Sequence, residues 1–304
     1  MKIYLSRINE SWIVDRIRNE WYSSNKKIST KFLSKSDIVW IVSPWLWKNV
    51  PKRCLEEKKV VCSHYHFDFE NFDKKNFLEL DKFVDEYHVI SKKTKNDLEQ
   101  LTDKKITSIP FWINQKLFYE IEDKKSLLQK YGFNNDEYLI GSFQRDTEAH
   151  DLTTPKLIKG PDIFIEILDS QYKKNNNTTV VLTGKRRNYI INELERLNIR
   201  YKYFEMVNFE NLNELYNILD LYLVTSRIEG GPQAILECAI TKTPVLSSNV
   251  GVASEILHPE SIYDLKTFDK AKTNINYAYD NSLKYTIPLG MDSFVKMFKE
   301  LYES

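Results

Sequence analysis

Two carboxylates, Glu229 and Glu237, stand eight positions apart, and Gly230-Gly231-Pro232 directly follows the first. The preceding run Leu221-Tyr222-Leu223-Val224 reads as a buried parallel strand, Thr225-Ser226-Arg227-Ile228 leaves it, and Gln233 to Ile240 reads as a helix. Two glycines let a backbone approach a ligand closely. Proline suits the first helical turn. A helix start of this kind aims N–H groups and a positive dipole end at an anion, most simply a phosphate. Glu237 falls two turns into the helix, on roughly the side of its beginning, so both carboxylates can border one cleft. The plainer alternative makes Glu229 a helix cap and Glu237 a solvated helix residue. Against it, Glu237 is flanked by Ala234-Ile235-Leu236 and Cys238-Ala239. A charge in such an apolar run needs a polar partner.

Cys62-Ser63-His64-Tyr65-His66-Phe67-Asp68 is a second constellation. On an extended backbone His64, His66 and Asp68 share one side. Imidazole and carboxylate can ligate zinc or iron, and the pattern resembles the His-x-His-x-Asp-His cluster of metallo-β-lactamase-type hydrolases. The next ligand position is Phe69, which departs from it; a structural histidine is the simpler reading. Thr183-Gly184-Lys185-Arg186-Arg187 follows a strand-like run and offers either a phosphate contact or a solvated basic helix start. It is no Walker loop, because Thr179 replaces the first glycine and Arg186 the final Ser or Thr. Pro44-Trp45-Leu46-Trp47-Lys48, with Lys52-Arg53 after it, is either a membrane-interface or sugar-stacking patch or a set of packed core aromatics.

These residues need a scaffold. Short apolar, β-branched runs fall at residues 2–5, 38–42, 60–62, 86–90, 107–109, 138–142, 178–183, 201–204, 221–224 and 245–247. Helical spacing appears at Glu10 to Tyr22, Pro161 to Tyr172, Asn211 to Leu219 and Met291 to Tyr302. Strands alternating with helices point to parallel α/β layers, where ligands bind outside the carboxyl ends of strands. A turn-rich stretch around residues 118–136 suggests a boundary, and 304 residues fit about two domains. Lys plus Arg number 44 and Asp plus Glu 43, so no bulk charge favours nucleic acid. No run of about 18 apolar residues predicts a membrane span, and the N-terminus lacks a signal-peptide core. Three widely spaced cysteines, Cys54, Cys62 and Cys238, suit a reducing cytoplasm. Asn176-Asn177-Thr178 is a glycosylation sequon by pattern only.

Glu229-Gly230-Gly231-Pro232-Gln233-Ala234-Ile235-Leu236-Glu237, followed by Thr243-Pro244-Val245, Gly251 and Glu255, resembles the signature of retaining GT-B glycosyltransferases of family 4. In the family's order stand Val89-Ile90-Ser91 with Lys95 and Leu98, Ser108-Ile109-Pro110 to Phe118, Ile140-Gly141 to Arg145, and Lys159-Gly160. The resemblance covers about two-thirds of the chain, most densely residues 138–257.

The resemblance implies an α/β, GT-B fold of two Rossmann-like parallel-sheet domains facing a central cleft. Residues 1–120 would form a trimmed acceptor-side domain and 121–288 the nucleotide-sugar donor domain. Residues 289–304 would be a helix packing back on the first. It implies transfer of a hexose-type sugar, with retention, from a nucleotide-diphosphate donor, UDP as first expectation and GDP as second, to a carbohydrate or lipid-linked acceptor. Arg145 and Lys159 would neutralise the diphosphate, Glu229 lie by the sugar, and Glu237 hold the ribose hydroxyls. Gly141, Gly184, Lys185, Gly230, Gly231 and Pro232 would line the donor. A histidine after the third strand, His64 or alternatively His66, would face the donor sugar.

Departures from the family give further candidates. Lys156 rivals Lys159, because the insert Asp146 to Ile158 separates Arg145 from the lysine, and Ser6-Arg7-Ile8-Asn9 replaces a glycine-rich loop, which brings in Arg7. No Asp-x-Asp sits between an apolar strand and a turn, so no metal or other cofactor is expected. Nor is a nucleic-acid or obligate protein partner. A cytoplasmic enzyme is expected, with a peripheral contact at the inner face of a membrane if its acceptor is lipid-linked. The alternatives are a metal-dependent hydrolase on His64, His66 and Asp68, and a non-catalytic nucleotide-sugar-binding relative.

Overall fold

The computed structural model describes residues 1–7, 13–148 and 151–304. Glu10, Ser11 and Trp12 of the expected first helix, Ile8 and Asn9 of the loop before it, and residues 149–150 of the insert lie outside them. The chain divides into two compact units, one of Met1–Trp112 with Tyr285–Ser304, the other of Ile113–Lys284. In chain order the first unit holds β1 (Ile3–Leu5), α1 (Ile13–Ser24), β2 (Ile38–Ile41), α2 (Lys52–Glu57), β3 (Lys59–His64), α3 (Lys74–Asp81), β4 (Glu86–Val89), α4 (Lys92–Leu98) and β5 (Lys105–Ser108). The second holds α5 (Lys124–Lys130), β6 (Tyr138–Ser142), α6 (Pro161–Lys174), β7 (Thr178–Thr183), α7 (Asn188–Arg196), β8 (Tyr201–Phe204), α8 (Phe209–Ile218), β9 (Leu221–Val224), α9 (Gln233–Ile240), β10 (Val245–Ser248), α10 (Ala253–Ile256), β11 (Ile262–Tyr263) and α11 (Ile275–Ser282). The chain then returns to the first unit as α12 (Leu289–Glu303).

The first sheet is parallel, in the order β1-β2-β3-β4-β5. Strands such as Ile38-Val39-Trp40-Ile41 are buried at every position, which is why they read as continuous apolar runs rather than alternating ones. A single parallel bridge, Ile3 to Ser29, lies on the edge of β1 away from β2. The chain thus winds outward once through α1, then crosses to β2, so the winding reverses at β1. On one face Trp40 packs on Trp21 of α1 and on Phe294 and Phe298 of α12, with centroids 5.1–5.4 Å from its own. Trp112 closes on Trp21 at 5.9 Å. These contacts hold α12 as part of the first unit's core.

The unit boundary falls at Trp112/Ile113 and Lys284/Tyr285, earlier than expected at both ends. Phe118 is fully buried against Phe209 and Tyr216 of α8, and the Tyr119 N–H donates to Asn213 Oδ1 at 3.0 Å, so this stretch belongs to the second unit. The two-residue β11 escapes sequence reading because it is too short to show alternation.

A polar chain crosses the first core. Trp40 Nε1–H donates to Ser63 Oγ at 2.8 Å, Ser63 Oγ–H to His88 Nδ1 at 2.8 Å, and His88 Nε2–H to the Ile109 carbonyl at 2.7 Å. That assignment makes His88 neutral with its proton on Nε2. Burial pushes His88 down to about 4 and, with a smaller contribution from His66, His64 down to about 3. Both folded values lie below the unfolded one, so their stability is complete above about pH 6.5 and is lost as pH falls towards them, at about 1.4 kcal/mol per pH unit for each histidine. Asp146 in the second unit, pushed up to about 6 mainly by burial, opposes one of them below that pH. Denaturant midpoints of the first unit should therefore drop between about pH 6.5 and 5, while two histidine ring resonances keep their neutral positions. A His64 or His88 ring signal that titrates near 6.5 would refute this.

Candidate functional site

The second sheet runs β11-β10-β9-β6-β7-β8, parallel throughout. The chain leaves β6 for β7 and β8, then returns to β6's other side for β9, β10 and β11. In open parallel sheets the ligand crevice lies outside the carboxyl ends where this order reverses. Here that point is framed by the loops after β6 and β9.

Lys159 ends a short 3₁₀ turn, Leu157–Lys159, directly before Gly160 and α6. Its ammonium is paired with Glu229 Oε2, and the two side chains are only 18% and 17% exposed. The Lys159 carbonyl accepts Gln144 Nε2–H at 2.9 Å and Thr225 Oγ1–H at 3.3 Å. Ser226 Oγ lies 3.2 Å from Gln144 Oε1 and 3.4 Å from Glu229 Oε2, while Ser248 Oγ–H donates to the Ser226 carbonyl at 2.6 Å. Thus the ends of β6, β9 and β10 and the start of α6 are stitched around one Lys–Glu pair. Beside it α9 begins after Pro232 with no side-chain cap.

Gly160 makes this closeness possible. Its φ is +61°, and an added Cβ would sit 1.9 Å from the Thr225 carbonyl oxygen. Gly160→Ala should therefore push the β9 loop away, lower unfolding free energy by about 1–3 kcal/mol and impair the site with every charged group still present. Wild-type melting and ligand response in that variant would refute the role.

Glu237 is buried on α9 and accepts Tyr216 Oη–H at 2.7 Å. Burial and the Glu237 charge hold the Tyr216 phenol well above its usual range, so it stays a donor. Phe143 N–H donates to Tyr222 Oη at 3.0 Å, and the rings of Phe143, Tyr216 and Tyr222 pack at 4.9–5.5 Å. Neither half of the plainer reading holds: Glu229 does not cap α9, and Glu237 is not solvated.

The other candidates divide. Arg145 is half-buried in the loop after β6, next to Gln144. Lys156 turns its ammonium to Glu148 at 3.2 Å, so Lys159 and not Lys156 is the lysine on Glu229. Within the insert Thr147 and Pro155 form an antiparallel bridge. Gly184 takes φ +87°, and Lys185 beside it is exposed. Gly251 and Gly230 touch so closely that a Cβ at 251 would lie 2.0 Å from the Gly230 carbonyl oxygen, which fixes the Gly230-Gly231 turn. Gly141 has a packing reason instead of a ligand-approach one: a Cβ there would meet Leu219 Cδ1 at 2.3 Å. Arg187 is not a solvated helix start but is fully buried, with Nε 3.6 Å from Asp146 Oδ2.

In the first unit the ring of His64 is 6% exposed and stacked on Phe67 at 5.0 Å, with Phe77 and Tyr87 edge-on. It is a packed ring, not an open one facing a sugar, because the aromatic residues on either side of the strand close over it. His66 is half-buried, and Arg7 is exposed just past β1. Among the described residues no group of three or more His, Cys, Asp or Glu is placed to hold a metal ion, so His64, His66 and Asp68 do not converge. Trp45 is not a core aromatic: it is 56% exposed and stacked on Tyr65 at 6.2 Å. Among the described residues no helix is long and apolar enough to cross a membrane.

Residues 154–285 match the family of glycosyl transferases group 1. This group 1 segment contains Lys159, Gly160, both glutamates and Tyr216. A 109-residue stretch is 34% identical to Uncharacterized protein 356 of Sulfolobus islandicus rod-shaped virus 1, covering 35% of this chain and 29% of that protein. HepE of Anabaena, solved with UDP, has a TM-score of 0.77 at 13% identity over 98% of this chain and 99% of its own. HepE solved with UDP-glucose gives 0.74 at 14%, over 98% and 99%. Sucrose-phosphate synthase of Thermosynechococcus elongatus gives 0.71 at 14%, over 98% of this chain and 81% of its own. At such identities the likeness is one of fold: two Rossmann-like domains of the GT-B class.

Gln144, Asp146, Arg187 and Tyr216 were missed as site residues. The sequence holds a weak signal only for the first two, which flank Arg145. Nothing in one dimension pairs 146 with 187 or 216 with 237.

Proposed function

We propose that this protein transfers a hexose-type sugar, with retention of configuration, from a nucleotide-diphosphate donor to a carbohydrate or lipid-linked hydroxyl. The observation that carries this reading is the mostly buried Lys159–Glu229 pair at the reversal of the second sheet. The group 1 match and the UDP and UDP-glucose complexes of HepE support a nucleotide-sugar donor, with UDP first and GDP second. Glu237 would hold the ribose. Lys159, Arg145 and the α9 N–H groups would face the diphosphate. In the step, the bond from sugar C1 to the leaving phosphate oxygen breaks and the acceptor oxygen bonds C1 on the same face. The acceptor proton passes to the leaving phosphate. Charge grows on that phosphate, and fixed cations and N–H groups in a water-poor site stabilise it best. In the first unit, the exposed Trp45 offers a face for stacking an acceptor sugar. The reaction would run in the cytoplasm, at a membrane's inner face if the acceptor is lipid-linked, and without a metal.

The test is a thermal-shift panel of UDP, GDP, ADP and their sugars, followed by a transfer assay with and without EDTA. A ligand at about 100 times its dissociation constant adds roughly 2.7 kcal/mol. The expected result is stabilisation by one nucleotide and its sugar, with EDTA-insensitive transfer. No response to any nucleotide would overturn the reading, and binding without transfer would favour the non-catalytic relative.

A further inference from the structure

The loops after β6 and β7 are joined by a group the proposed reaction does not use. Asp146 and Arg187 have side chains 1% and 0% exposed and an N···O separation of 3.6 Å. The Asp146 carboxylate faces the Tyr189 and Ile190 N–H groups at the start of α7 rather than forming a close bond to the guanidinium, and among the described residues Arg187 Nε and Nη1 have no hydrogen-bond partner. Desolvation of two charges so buried offsets much of their attraction, so the pair is a weak source of stability. Its connections do suggest a role. Arg187 Nη2–H donates to the Ser142 carbonyl at 2.9 Å, at the end of β6. Asp146 N–H donates to the Arg186 carbonyl at 3.0 Å, and Lys156 N–H to the Asp146 carbonyl at 2.7 Å. Arg186 takes a left-handed φ of +62°, a strained conformation for a non-glycine residue, and there its carbonyl meets the Asp146 N–H.

We propose that the Asp146–Arg187 pair is a positioning unit: it clamps the loop carrying Gln144 and Arg145 against the loop carrying Gly184 and Lys185, so that both meet the donor diphosphate in one register. This rests on the nucleotide-sugar reading above. Asp146 and Arg187 act through their neighbours and touch no substrate.

The clamp depends on the Asp146 charge, and burial pushes its carboxyl up to about 6. Arg187 and the Tyr189 and Ile190 N–H groups at the start of α7 work against that rise. Tyr203 of β8 and Tyr189 also face the carboxylate, whereas the Lys156 ammonium is engaged by Glu148. Protonation below that pH removes the charge that holds Arg187, so the loop loosens as the medium acidifies.

Asp146→Asn is the test, read in two ways. Hydrogen exchange over residues 143–156 needs no ligand and should speed up in the variant. UDP-glucose affinity should fall about 10- to 100-fold near pH 7. UDP-glucose is the probe because its diphosphate stays fully ionised over the range used. In the wild type affinity should weaken from about pH 7 to pH 5 with a midpoint near 6; in the variant it should be flat. If Asp146→Asn does not fold, because Arg187 is left uncompensated, Asp146→Asn with Arg187→Met removes both charges and takes its place. Faster exchange with weaker, pH-insensitive binding supports the clamp. Unchanged exchange, or wild-type affinity with the wild-type pH profile, overturns it. A wild-type protein whose loop exchange is slowed by Asp146 but which binds no nucleotide sugar retains the clamp and overturns the proposed function instead.

Discussion

Lys159→Ala should lower turnover at saturating donor by about 10²–10³, the usual effect of removing one preorganised stabiliser of developing charge. Three observations set the size. The ammonium is mostly buried, so its charge is poorly screened. It sits at the reversal of the sheet, on the glutamate of the turn that leads into α9. Its loss also leaves Glu229 without a counter-charge, so a carboxylate would then oppose the anionic leaving group. The fold should persist at a lower melting temperature, because the contacts that stitch the loops use the Lys159 carbonyl, which alanine keeps, while the mostly buried Glu229 loses its counter-charge. Arg145→Ala should fall in the same range. The measurement is transfer rate at saturating donor with melting temperature alongside. Near-wild-type turnover in both variants would remove the diphosphate assignment.

Glu237→Gln should act on binding. A charge-assisted hydrogen bond to ribose contributes about 1.5–3 kcal/mol, or roughly 10–150-fold in affinity. Free nucleotide and nucleotide sugar should weaken together, since both carry the ribose. Glutamine is the informative substitution because its amide oxygen still accepts Tyr216 Oη–H, so the buried packing of α9 against α8 survives. Glu229→Gln should do the opposite, reducing turnover more than nucleotide affinity, because its partner is Lys159. Calorimetric titration and saturated rates separate the two. Equal losses of affinity with unchanged rates would show the division of roles to be wrong, and no effect in either would leave both glutamates structural.

Much of the second unit is legible in one dimension. β6, β7, β8 and β9 coincide with runs read from the sequence, because each buried parallel strand is short, apolar and bounded by turn residues. The Glu229 to Glu237 block is legible too, since strand, glycine turn and helix are contiguous and all their chemistry lies within 17 residues of chain. The first unit is less so. His64, read as facing a donor sugar, is packed among aromatic rings, and of the two readings left open for Trp45 the exposed one holds. Local sequence says which residues alternate, but not which aromatics from elsewhere in the unit close over a given ring.

By itself, then, the chain determined the alternating α/β pattern, the family likeness and the local frame of the two glutamates, all properties of residues close in sequence. Only tertiary structure decided that Lys159 rather than Lys156 reaches Glu229, that Tyr216 supplies the polar partner Glu237 requires, that α12 completes the first core, and that Asp146 meets Arg187. Each of these joins residues on different elements. Such a contact depends on strand order, register and which side chains are excluded from water, and no periodicity along the chain encodes those.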